Sequence, residues 1–260
     1  MNRTELRSSL APTSPLLSTS PLIRIQGLTF RYGDDAPALV NINLTIAAGE
    51  KVAVVGPNGS GKTTLLLHLN GLLQGEGLVE VGGLPVARPH LPAIRALVGL
   101  LFQDPDDQLF SPTVYEDVAF GPLQQGLSPE EAQQRACAAL EQVGLSHLAQ
   151  RAPYRLSVGE KKRAALATVL AMQPQILALD EPTANLNPRA RRQLIALLRE
   201  LPQTMLVATH DMQLVARDFP RTVVMDEGRI IADAPTEEVL HDRAFLEAHG
   251  LEPPCLPEQA

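Results

Sequence analysis

The sequence predicts an α/β fold with a mostly parallel sheet core, an N-terminal antiparallel β region and an inserted helical subdomain. Three observations carry this expectation. A β-rich run at residues 51–55 ends in a glycine-rich turn that opens a helix at Lys62, the strand, loop and helix order of a βα unit. Two apolar runs, 176–179 and 204–209, flank a stretch of helical character over 188–201, an alternation that yields parallel strands covered by helices. Between these halves, residues from about 103 to 155 read as helical.

Taken in order, residues 1–20 are rich in Ser, Thr and Pro without apolar periodicity. Such a segment buries too little surface to offset the entropy of ordering, so a disordered arm is expected there. The main domain is expected over 21–245 and a tail over 246–260. Runs at 22–30, 40–46 and 51–55, punctuated by Gly33, Asp34 and Gly49, read as strands. A helix is expected from Lys62 to about residue 72. In the helical region, Ser128 with Pro129 and Glu131 forms a capping-box start, and the helix should end near Gly144. Residues 223–234, turning at Asp226, Glu227 and Gly228, read as a hairpin followed by short helices and a Pro-rich end.

Composition narrows the function. At 260 residues, 45% hydrophobic and 20% charged, the chain resembles an ordinary globular protein. A net charge of −7 argues against a basic field for nucleic acid or anionic lipid. Two cysteines, Cys137 and Cys255, exclude a disulfide framework or a cysteine-based zinc site and fit a reducing cytoplasm. No run approaches the roughly 18 apolar residues of a membrane span, and the N-terminus shows no secretory core. Any membrane role is therefore expected through a protein partner.

The residues Gly56, Pro57, Asn58, Gly59, Ser60, Gly61, Lys62 and Thr63, followed by Thr64, complete the eight-residue phosphate-loop pattern. Its glycines allow backbone N–H groups to turn around phosphate oxygens, and the helix adds its positive N-terminal end. Lys62 is suited to β- and γ-phosphates and the Thr63 hydroxyl to Mg²⁺. The expected cofactors are ATP and Mg²⁺.

The run at 176–181 is an apolar strand ending in Asp180 and Glu181. Asp180 could hold Mg²⁺ and Glu181 could orient and deprotonate a water; a buried strand with an acidic turn is the plainer reading. Ser157 and Glu160 likewise form an ordinary capping box. Taken together, however, Tyr32, the phosphate loop, Gln103, the run 156–163, Asp180–Glu181, the turn 184–187 and His210 stand in the order of the ATP-binding cassette ATPases, which the chain resembles over residues 23–234.

That resemblance implies a P-loop NTPase fold and assigns roles. Tyr32 stacks on adenine, Gln103 approaches Mg²⁺ and the attacking water, and His210 contacts the γ-phosphate. Ser157 and Gly159 act on the nucleotide of a second cassette, so a homodimer or heterodimer follows. The chain departs from the usual pattern at Val158, Glu160 and Asn187. Segments 102–110 and 113–122 resemble energy-coupling-factor importers, and Lys161, Lys162 and Arg163 look most like the cobalt and nickel importers; vitamins are the alternative cargo. An integral membrane transporter subunit is the expected partner, with the chain peripheral on the cytoplasmic face of the inner membrane. Phe102, Phe110, Tyr115 and Phe120 are candidates for its docking groove, with core packing as the rival. Asp104, Asp106 and Asp107 read as a solvated acidic loop. A cassette serving DNA repair, chromosome handling or translation, and a small-molecule phosphotransferase, are the competing functions.

Overall fold

In the computed structural model, residues 21–254 are described; the arm expected over 1–20 and the part of the tail at 255–260 lie outside them. Strands β1 (Ile23–Arg31) and β2 (Pro37–Ile46) pair antiparallel and lead to β3 (Lys51–Val55). Helix α1 (Lys62–Leu69) precedes β4 (Glu76–Val81), β5 (Leu84–Pro85), α2 (Leu91–Leu97) and β6 (Val98–Leu101). Then come α3 (Val114–Gln124), α4 (Pro129–Gln142) and α5 (Val158–Ala171). The chain continues through β7 (Ile176–Asp180), α6 (Pro188–Glu200), β8 (Thr204–Ala208) and α7 (Met212–Asp218). It closes with the hairpin β9 (Arg221–Asp226) and β10 (Arg229–Pro235), followed by α8 (Thr236–His241) and α9 (Arg243–Ala248).

Two sheets result. The first is antiparallel, in the order β2-β1-β4-β5; the second runs β10-β9-β3-β8-β7-β6 and is parallel except at the β9–β10 hairpin. Period-two alternation explains how the central strands serve two cores. Val52 and Val54 of β3, Ile176 and Ala178 of β7, and Leu206 and Ala208 of β8 face a core shared with the antiparallel sheet and α1. Their neighbours Ala53, Val55, Leu177, Leu179, Met205 and Val207 face the core that extends through α3, α4 and α5. These strands are buried on both sides, so they read as unbroken apolar runs.

Local chemistry sets the helix starts. Thr113–Glu116, Ser128–Glu131 and Ser157–Glu160 each form a reciprocal capping box for α3, α4 and α5. Helix α1 stops at Leu69, short of the predicted residue 72. Gly71 takes φ +70, and the Leu72 and Leu73 amides fold back on the Leu67 carbonyl, a C-terminal stop that glycine permits. The sequence reading leaves 73–102 unassigned, whereas β4, β5, α2 and β6 occupy it. β6 is four residues long and β5 two, too short for a periodic signal. Helix α7 was also missed, for the same reason.

Candidate active site

Strands β3, β7 and β8 deliver their carboxyl ends to one edge, the position at which open α/β sheets bind ligands. The register continues past the strand ends: the Thr209 amide donates to the Val54 carbonyl at 3.0 Å, and the Glu181 amide to the Ala208 carbonyl at 2.9 Å. Gly56, Thr209, His210 and Glu181 are thereby set side by side. A cleft of about 600 Å³ opens there, lined by Tyr32, Asn58, Gly59, Gly61, Lys62, Thr63, Thr64, Gln103, Asp180, Glu181 and His210. That volume suits a nucleotide-sized ligand.

The phosphate loop depends on two glycines. At Gly56, φ is +154 and a Cβ would lie 2.0 Å from the Met225 carbonyl oxygen; at Gly61, φ is +100 and a Cβ would lie 2.6 Å from the Ala38 carbonyl oxygen. No other residue fits either place without moving backbone. The first N–H groups of α1 have no intrahelical partner and face the loop's end. The buried Lys62 ammonium donates to the carbonyls of Gly56 at 2.8 Å and Pro57 at 2.9 Å, using two of its three protons. Burial pushes this ammonium down, while Glu181 and Asp180 push it back up.

Tyr32 is exposed and stands edge-on to Phe30, whose ring meets the buried His68 at 4.9 Å. The Tyr32 hydroxyl shares a 3.2 Å hydrogen bond with Thr64 Oγ1. Its ring is therefore braced beside the loop rather than buried in the sheet.

At the acidic end, Thr63 Oγ1 donates to Asp180 Oδ2 at 2.7 Å. Burial raises the Asp180 carboxyl, opposed by the Thr63 bond and then by Lys62 and Lys162. A hydroxyl and a carboxylate in contact at the mouth of a phosphate loop form a hard oxygen set, which fits Mg²⁺. Glu181, nearly buried and at φ +43, accepts a 2.7 Å hydrogen bond from His210 Nδ1 and a 3.3 Å one from Thr209 Oγ1. Its carboxylate is held rigidly over the cleft.

Ser157 and Gly159 do not line this cleft. Ser157 donates to Glu160 Oε2 at 2.8 Å and accepts from the Glu160 amide, as a helix cap. A Cβ at Gly159 would come 2.7 Å from Ala190 Cβ, so that glycine lets α5 approach α6. Of the four candidate docking aromatics, Phe110 and Phe120 are exposed and meet edge to face at 5.1 Å. Tyr115 instead packs against the core, and Phe102 lines a second cleft with Gln103. The acidic loop is solvated, with Asp104, Asp106 and Asp107 all exposed, and Asp106 also accepts two bonds from Lys161 Nζ, at 2.6 and 2.8 Å.

Sequence reasoning gave no role to Thr209 or Lys162. Lys162 is fully buried, and its Nζ donates to the carbonyls of Gln103 at 2.6 Å and Glu181 at 3.0 Å. A signal existed, because Lys162, Leu166 and Val169 share the buried helical face at i, i+4 and i+7. Among the described residues, no helix is long and apolar enough to cross a membrane, and no cluster of His, Cys, Asp and Glu could hold a metal by itself.

Similarity to known proteins extends over most of the chain. The ABC transporter family profile matches residues 39–184. The energy-coupling factor transporter ATP-binding protein EcfA of Methanothermobacter thermautotrophicus is 43% identical over 239 residues, 90% of this chain and 77% of its own. Among solved structures, cbiO1 of Clostridium perfringens, part of the ABC transporter complex cbiONQ, superposes with a TM-score of 0.77 at 37% identity, covering 88% of this chain and 94% of its own. A dimeric ATP-binding cassette in a post-hydrolysis state bound to ADP and Pi gives a TM-score of 0.74 at 29% identity, over 82% of this chain and 98% of its own.

Proposed function

From the premise that the chain belongs to the ABC transporter family and is one of its ATPase cassettes, we propose that it works as one half of a nucleotide-sandwich dimer driving an energy-coupling-factor importer. The observation that carries this reading is the single cleft that gathers Tyr32, Lys62, Thr63, Gln103, Asp180, Glu181 and His210.

In this reading Tyr32 stacks on adenine while the loop from Gly56 to Thr64 wraps the phosphates and Lys62 turns its ammonium to them. Thr63, Asp180 and Gln103 would hold Mg²⁺, which when bound supplies charge neutralisation at the phosphates. Glu181 takes the proton from the attacking water. His210 holds the carboxylate through Nδ1 and offers the rest of its ring to the γ-phosphate. The chain's contribution is mostly position and fixed charge, as phosphoryl transfer requires.

Ser157 and Gly159 sit at the start of α5, outside the cleft of their own chain. Their role is therefore on the nucleotide of a second cassette, either a copy or a relative; the solved cassette in dimeric form with ADP and Pi supports such a pairing. The exposed Phe110–Phe120 pair offers an apolar contact for a membrane subunit, which would place the chain peripherally on the cytoplasmic face of the inner membrane. The resemblance of the Lys161-Lys162-Arg163 run to the cobalt and nickel importers favours one of those ions over a vitamin as cargo.

The test mixes two inactive chains. Lys62→Ala removes one loop and Ser157→Arg one signature, so a mixed dimer retains one intact composite site. Hydrolysis should return to about a quarter of wild type, given random pairing in a two-fold dimer. No recovery at any mixing ratio would rule out shared sites. Uptake of labelled Co²⁺ and Ni²⁺ by the intact complex, with vitamins as competitors, decides the cargo.

A further inference from the structure

Lys162 is the one lysine of α5 that turns inward. Its side chain is only 1% exposed, among the largest fully buried side chains of the molecule. An ammonium is costly to bury unless its protons find acceptors. Here the acceptors are not carboxylates: among the described residues Lys162 makes no ion pair within 4.0 Å, and its Nζ instead reaches two main-chain carbonyls. Those carbonyls belong to Gln103 and Glu181, the residue expected at the metal and water and the residue expected to act as base.

We propose that Lys162 is a positioning residue for ATP hydrolysis, one buried cation that ties the loop carrying Gln103 to the strand end carrying Glu181 and anchors both to α5. The inference rests on the site reading above and deepens it. Three observations support it. Gln103 lies beyond the last ladder residue of β6, Leu101, so its backbone is not fixed by the sheet. The same helix grips the rest of the loop along its neighbouring face, through Lys161 to Asp106 and through Gln108 Nε2 to the Ala165 carbonyl and Thr168 Oγ1. Finally, Glu181 is held at its carboxylate by His210 and Thr209 and at its carbonyl by Lys162 together with the Ala184 amide.

A lysine with a purely structural part could be exchanged for an apolar residue of similar length with the turnover of the folded chain unchanged, the loss falling on stability as its carbonyl acceptors go without that donor. A positioning lysine could not, because a displacement of about 1 Å at reacting groups costs on the order of 100-fold in rate. The experiment compares the full chain with Lys162→Met, which removes every donor, and Lys162→Gln, which keeps a donor at shorter reach. For Lys162→Met, kcat should fall about 10- to 100-fold while KM for MgATP stays within about threefold, the split that marks a lost transition-state arrangement. Lys162→Gln should fall in between.

A second readout needs no turnover. In nucleotide-free protein, amide exchange over residues 102–108 should quicken in Lys162→Met while β3, β7 and β8 keep their protection. The proposal is overturned if kcat of Lys162→Met stays within about threefold of wild type, or if KM rises as kcat falls with exchange faster throughout the sheet, the pattern of a purely structural role. Should Lys162→Met fail to fold, Lys162→Gln decides by the same split, a kcat loss of at least about threefold at constant KM supporting the tie and its absence removing it. If the wild-type chain hydrolyses no ATP with water as acceptor, the site reading itself fails, and the exchange of 102–108 still decides whether Lys162 holds the loop.

Discussion

Glutamate 181 gives the sharpest handle on the chemistry, because Glu181→Gln changes proton affinity and almost nothing else. The side chain is nearly buried and bonded at both oxygens, to His210 Nδ1 at 2.7 Å and Thr209 Oγ1 at 3.3 Å. A glutamine can keep its carbonyl oxygen toward His210 and turn its amide toward Thr209, whose hydroxyl accepts as readily as it donates. The fold should lose no more than the difference between a charged and a neutral hydrogen bond, about 1 kcal/mol. The barrier loses a general base, worth about 10²- to 10⁴-fold in rate, or about 2.7–5.4 kcal/mol. Steady-state phosphate release and equilibrium binding of labelled ATP separate the two effects: turnover should drop by that factor while ATP is retained. Turnover within about tenfold of wild type would remove Glu181 as base, and equal loss of binding and turnover would assign it a structural role.

Two further outcomes follow from α5. Gly159→Ala should destabilise the chain by about 1–3 kcal/mol through overpacking on Ala190, and the double variant with Ala190→Gly should recover part of that loss in a thermal-melt double-mutant cycle; additive losses would mean the two helices do not meet there. The second concerns pH. The Ser157 amide, and then its hydroxyl, hold the Glu160 carboxyl below its ordinary value of 4.5. A depressed carboxyl stabilises the fold above 4.5 and loses that contribution as pH falls through its lowered value. Relative to Glu160→Gln, whose amide does not titrate, wild-type melting should therefore decline only below about pH 4.5; a constant difference down to pH 3 would mean that the cap carries no charge dependence. The effect is small, because the pair is near the surface.

Much of the fold was legible because its cues are local. Gly56 and Gly61 stand where only glycine fits, Ser128 and Glu131 cap a helix three residues apart, and β7 and β8 are apolar throughout because both faces are covered. The gathering of Lys62, Thr63, Asp180 and His210 could be anticipated because each stands at or beyond the carboxyl end of a strand of the same parallel sheet. Residues 73–102 were not legible: their strands are short, and β6 gains its place from the β7 ladder rather than from its own pattern. The burial of Lys162 was not legible because a lysine in a basic run reads as solvent-facing until tertiary contacts show otherwise. For the four aromatics near Gln103 the sequence leaves docking and core packing open, and burial divides them between core, cleft and surface.

The register of the central sheet has a consequence for motion. Slipping β3, β7 or β8 by one residue would turn every side chain toward the wrong core, so both cores together fix the register of the floor beneath the phosphate loop. Parts fastened by side chains alone carry no such register constraint and open at lower cost. The span between the sheet's rim and α5 is of that kind, since the Lys162 and Lys161 ammoniums and the Gln108 amide are what fasten it.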